Sequence, residues 1–118
     1  KPLEIELVVA EVGDDRYEDH KANSPFKINF DGFISDHKDF CAIGGNVDSV
    51  EQILRADFRT GMTLKEAVAL GRKALDAAAE RGGALTPENM EVCVLNRAGG
   101  RRKFQRLSTD EVRTIVEG

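Results

Sequence analysis

At Gly44-Gly45 the spacing of apolar residues changes from every second position to about every 3.6 positions, and near Met90 it changes back. A period of two is a strand crossing its own pleat, and a period of 3.6 is one face of a helix, so these switch points divide the chain into blocks. In the first block Leu3, Ile5, Leu7 and Val9 share one face of a strand over residues 3 to 12, with Glu4 and Glu6 on the other. Phe26, Ile28 and Phe30 alternate with Lys27 and Asn29 as a second strand. It ends at Asp31-Gly32, a dipeptide suited to the positive φ of a hairpin turn, so a third strand should follow closely. Residues 40 to 43, FCAI, fit a strand covered on both faces and closed by Gly44 and Gly45.

In the second block Val47, Val50, Ile53, Leu54 and Phe58 fall on one helical stripe, with Asp48 and Glu51 as a cap pair and an end near Thr60-Gly61. A second helix starts at a capping box of Thr63 and Glu66, presents a small-residue face through Ala67, Gly71, Ala74 and Ala78, and stops at Gly82-Gly83. Met90, Val92 and Val94 then mark a fourth strand, which RAGG joins to a fifth, RRKFQRL, as a hairpin. Ser108 and Glu111 form a second capping box before the stripe Val112, Ile115 and Val116. The order βββ-αα-ββ-α, with strands in hairpin-linked runs and helices in a block, is that of an α+β fold and not of a doubly wound nucleotide fold.

With 118 residues the chain has length for one domain, 1–118, whose size allows a core without disulfides or metals. Lys and Arg number 17 against 21 Asp and Glu, a net charge of −4 that gives the whole chain no footprint for nucleic acid or an acidic membrane. Cys41 and Cys93 sit in apolar stretches and read as buried, reduced thiols of a cytoplasmic protein, with a disulfide between them left open. The chain begins at Lys1 without a signal segment, which suggests upstream processing or a piece of a longer protein.

Candidate chemistry is sparse. Gly44-Gly45 stands at a strand-to-helix junction, where a phosphate could meet backbone N–H groups, but no phosphate-loop pattern surrounds it and a tight turn accounts for it as well. His20 and His37 have neighbouring aspartates, yet their spacing matches no closed metal site and solvated loop histidines are the simpler reading. Thr63 and Ser108 are explained as caps, so no catalytic residue, cofactor or metal is expected. Two charged segments remain. Asp14, Asp15, Glu18 and Asp19 make residues 11 to 19 the most acidic part of the chain. Arg97, Arg101, Arg102, Lys103 and Arg106 occupy ten residues without an acid. That basic hairpin fits a solvated edge, a contact to a neighbouring subunit, or, with Phe104 as its one aromatic, an RNA-binding surface.

In order and spacing these pieces resemble the C-terminal half of a proteasome α-type subunit of the actinobacterial kind. KPLEIELVVAEVG resembles the segment that opens that half; FKINFDGFISD resembles its two-strand turn; FCAIGGNVDSVEQIL resembles the strand, glycine pair and helix that follow; MTLKEAVALGRKAL resembles the next helix; MEVCVLNRAGGRRKFQRLS resembles its final arginine-rich hairpin. The resemblance implies the N-terminal-nucleophile hydrolase sandwich, antiparallel sheets between helical layers in an αββα arrangement. It further implies a non-catalytic subunit that forms seven-membered rings with other α subunits, stacks on β subunits, gates substrate entry and docks a regulatory ATPase. The nucleophile of the β-type relatives, the gate segment and the lysine that receives activators belong to the other half, so none carries over to a residue here. A β-type threonine peptidase subunit and a freestanding α+β binding module are the alternatives. A half-sandwich with unpaired edges is expected to self-associate.

Overall fold

The computed structural model describes residues 5–13, 24–79 and 85–117. The proposed starts and stops at Leu3, Gly82 and Gly83, the acidic run from Asp14 to Asp19, and His20 lie outside the described residues. The elements are strands β1 (Leu7–Glu11), β2 (Ser24–Ile28) and β3 (Ile34–Asp36), helices α1 (Val47–Asp57) and α2 (Leu64–Ala78), strands β4 (Cys93–Leu95) and β5 (Phe104–Arg106), and helix α3 (Thr109–Glu117). Short 3-10 turns at Pro87–Asn89 and Arg97–Gly99 flank β4. This is an α+β chain with antiparallel strands and three helices. It divides into two compact units, one of residues 1–44 and 95–105 and one of residues 45–94 and 106–118.

The first unit holds a three-stranded sheet in the order β1-β2-β3. Its register pairs Leu7 with Ile28, Val9 with Phe26, Ile28 with Ile34 and Phe26 with Asp36. Because side chains alternate across the pleat, Leu7, Val9, Phe26, Ile28 and Ile34 fall on one face. Among the described residues that face is partly open: Leu7 is 49% exposed and Ile34 59%, while Phe26 and Ile28 on the central strand are half-buried. The other face of β1 is open as well, since all five of its residues are exposed. Alternation records which residues can share a face, and a covering layer has to come from elsewhere.

Three local expectations in this unit are corrected. The second strand ends at Ile28, not Phe30. The Asn29 N–H donates to the Phe33 carbonyl at 2.9 Å and the Gly32 N–H to the Asn29 carbonyl at 2.9 Å, leaving Phe30, Asp31 and Gly32 as a three-residue loop. Only Gly32 has positive φ (86°), while the Asp31 carboxylate accepts from the Phe33 N–H at 3.0 Å, so aspartate and glycine serve one turn in different ways. The FCAI run forms no strand. Its Ala42 carbonyl accepts from Lys27 Nζ at 3.1 Å, a side-chain bond in place of a strand ladder, so the apolar composition of the run does not by itself make a strand.

The second unit carries the core. Among the described residues the buried apolar side chains are Val50 on α1, Leu70 and Ala74 on α2, Val112 on α3 and Pro87 in the turn before β4, and all belong to this unit. Ala74, only 1% exposed, is where a small side chain lets a neighbouring element come close to α2. The T-x-x-E box at α2 closes in both directions: Thr63 Oγ1 accepts from the Glu66 N–H and the Glu66 carboxylate from the Thr63 N–H, each at 3.1 Å. Ser108 and Glu111 make the same exchange ahead of α3, at 3.1 and 3.0 Å. At α1 the expected Asp48 and Glu51 cap pair is not the cap. Asn46 takes that position in the left-handed region (φ 52°), which asparagine tolerates, and its side-chain amide donates to the Ala78 carbonyl at the end of α2 at 2.8 Å. Gly44 (φ 109°) turns the chain into this junction.

Candidate subunit-contact hairpin

The basic segment is built on the two-stranded sheet of β4 and β5. The Asn96 N–H donates to the Lys103 carbonyl at 2.8 Å and the Leu107 N–H to the Val92 carbonyl at 2.9 Å, which sets Leu95 across from Phe104 and Cys93 across from Arg106. Between Asn96 and Lys103 the loop is closely tied. Asn96 Oδ1 accepts from the Ala98 N–H at 2.9 Å, the Asn96 carbonyl from the Gly99 N–H at 3.0 Å, and the Gly99 carbonyl from the Arg102 N–H at 3.0 Å. Gly100 reverses the chain at φ 59°.

The five basic residues do not form one patch of equivalent charges. Arg97 is half-buried, and its Nε donates to the Gly13 carbonyl at 3.2 Å across 84 residues of sequence. Lys103 is half-buried, and its Nζ donates to the Arg97 carbonyl at 3.0 Å. Arg101, Arg102 and Arg106 are exposed, as is Phe104. Sequence reasoning grouped all five by proximity and missed these two ties. An asparagine ahead of R-A-G is a legible turn cap, whereas nothing local in the sequence connects Arg97 to Gly13.

The remaining candidates take bland positions or corrected ones. Gly44 and Gly45 make the turn into α1, where an added Cβ at either would meet nothing within 4 Å, so positive φ at Gly44 and not crowding calls for glycine. His37 Nε2 lies 3.0 Å from Ser35 Oγ and its backbone N–H donates to the Pro25 carbonyl at 3.0 Å. Among the described residues no group of three or more His, Cys, Asp or Glu is placed to hold a metal ion. The cysteines are not both buried: Cys41 is half-buried, Cys93 is exposed on the hairpin, and neither forms a disulfide. No helix among the described residues is long and apolar enough to cross a membrane.

An antiparallel, hairpin-built α+β chain with an arginine-rich terminal hairpin defines a class by architecture, and comparison with known proteins narrows it. The family described as Proteasome subunit matches residues 4–95. A protein named proteasome subunit alpha from Renibacterium salmoninarum is 40% identical over 121 residues, covering 98% of this chain and 48% of the relative. Proteins of the same name from Kineococcus radiotolerans and Streptosporangium roseum are 39% and 40% identical, each over 100% of this chain and 51% and 44% of their own lengths. The chain belongs to the proteasome subunit family. It spans about half the length of the curated relatives it matches, and their shared name does not favour the β-type alternative.

Proposed function

We propose that the chain is the C-terminal portion, a single domain over 1–118, of a non-catalytic proteasome core α-type subunit working in the cytoplasm. In this reading it supplies strands and three helices to the αββα sandwich of its parent. The parent assembles with other α subunits into a seven-membered ring, stacks on β subunits, gates entry of proteins to be degraded and receives a regulatory ATPase. Arg97, Arg101, Arg102, Lys103 and Arg106 serve the contact with a ring neighbour. The observation that carries the reading is the match over nearly the whole chain to half-length stretches of proteins named proteasome subunit alpha. The partly open apolar face of the β1-β2-β3 sheet supports it, because burying such a face against another layer is favourable.

The test is to produce the full-length parent with and without its β-type partner, then measure native mass, ring symmetry and peptide hydrolysis. Seven-fold α rings that hydrolyse nothing without β subunits are the expected result. A parent that hydrolyses peptides alone through an N-terminal Thr, or that forms no ring, overturns the reading. Taken by itself, the chain is expected to self-associate through the open sheet, and a monomer with well-protected strands at high concentration would count against that.

A further inference from the structure

We propose that the basic hairpin divides its labour: Arg97 and Lys103 are positioning residues, and Arg101 with Arg102 form the arm that meets carboxylates of a neighbouring proteasome subunit. The proposal rests on the subunit-contact reading above and assigns the parts within it. Its first support is the bonding. Arg97 spends its Nε on the Gly13 carbonyl and Lys103 its ammonium on the Arg97 carbonyl, so both ends of the loop are fastened from inside the first unit. Asn96, Gly99 and Arg102 add backbone and side-chain bonds within the same loop. A loop ordered before contact gives up little conformational entropy on contact, which is how preorganisation raises affinity.

The second support is what this bonding leaves outward. Arg101 and Arg102 are exposed just past the Gly100 reversal, and the hairpin from Arg97 to Arg106 contains no acid to neutralise them. Two adjacent guanidinium groups on a fixed turn match a carboxylate surface, since each fork can bind a carboxylate through two parallel hydrogen bonds. Arg106 is exposed too, but the register puts it across from Cys93 at the base of the hairpin, away from the turn. Proximity in sequence groups all five cations, while the hydrogen bonds separate holders from presenters.

The test uses the full-length subunit and its natural ring partners, with assembly rate followed across a range of ionic strength. Glutamine has a side-chain nitrogen at the same depth as the donating Nε of arginine, and methionine has the length without a donor. Arg97→Met is therefore expected to slow assembly while leaving its salt dependence unchanged, and Arg97→Gln to restore the rate. Lys103→Met should behave as Arg97→Met does, which keeps the proposal testable where one variant folds poorly. Arg101→Gln with Arg102→Gln should slow assembly about tenfold at low salt and flatten its salt dependence, the range open to electrostatic steering. Arg106→Gln should change both much less. If Arg97→Gln and Arg97→Met flatten the salt dependence equally, Arg97 contributes its charge and the positioning role falls. Arg97→Met and Lys103→Met variants that assemble like the parent also overturn it. If the Arg101 and Arg102 pair changes neither rate nor salt dependence, the contact reading itself fails, whatever Arg97 does.

Discussion

The two units are built from similarly apolar sequence and end in opposite states. In the second, stripes on α1, α2 and α3 supply Val50, Leu70, Ala74 and Val112 to a shared core, and Asn46 ties the start of α1 to the end of α2. In the first, a sheet of correct register and closed turns leaves Leu7, Val8, Val9, Phe30, Phe33 and Ile34 exposed. Helices satisfy their own backbone and can seal one another with a few contacts, whereas a three-stranded sheet needs a layer on its apolar face. The contrast shows that hydrogen-bonded order and burial are separate achievements.

Amide exchange would test the contrast most severely. Amides in α1, α2 and α3 are expected to exchange orders of magnitude more slowly than those in β1 and β3, because local opening tracks buried apolar contact. Equal protection in the two units would break the comparison. Next in size is Leu70→Ala, expected to lower stability by about 3 kcal/mol in urea unfolding followed by the helical signal. By contrast Phe33→Ser and Ile34→Ser should leave that midpoint in place and reduce self-association measured by sedimentation, since they remove exposed apolar surface.

Smaller effects sharpen the account of the second unit. Thr63→Ala removes one arm of a closed capping box and is expected to cost about 1 kcal/mol by thermal melting, with Ser108→Ala similar. The smallest effect is a pH dependence. The Glu88 carboxyl is held below the usual glutamate range by a hydrogen bond from its own backbone N–H and then by Arg113, whose guanidinium also binds Asp110 and whose own value is raised by Glu88. Because the folded value lies below the unfolded one, this contribution is complete above the usual glutamate range and is lost as pH falls through the lowered value. The pair is on the surface, so its effect is slight. Melting from neutral to acid pH should show a small loss that Glu88→Gln abolishes; an identical acid loss in that variant would assign it elsewhere.

Much of this was legible in the residues. The T-x-x-E and S-x-x-E spacings coincide with closed boxes at Thr63 and Ser108, because a cap is decided within four residues. The alternation around Phe26 and Ile28 belongs to a strand for the same local reason. Local spacing points to Asp48 and Glu51 and not to Asn46, since the role of Asn46 as the entry to α1 depends on a left-handed backbone and an acceptor at Ala78, 32 residues away. FCAI reads as a covered strand because composition records a preference for burial, whereas strand formation depends on pairing that composition does not specify. The grouping of five cations likewise recorded charge and not direction.

By itself the sequence determined the order of most helices and strands, where two helices begin, which residues share the apolar face of the sheet, and the family to which the chain belongs. Those properties follow from side-chain period, from capping over three or four positions and from ordered similarity along the chain. Only the tertiary structure decided that the core forms among the helices, that the sheet face stays open, and that Arg97 reaches back to Gly13 while Arg101 and Arg102 turn outward. Burial and long-range hydrogen bonds depend on which distant segments come within a few ångströms of one another, and no local pattern of residues encodes that distance.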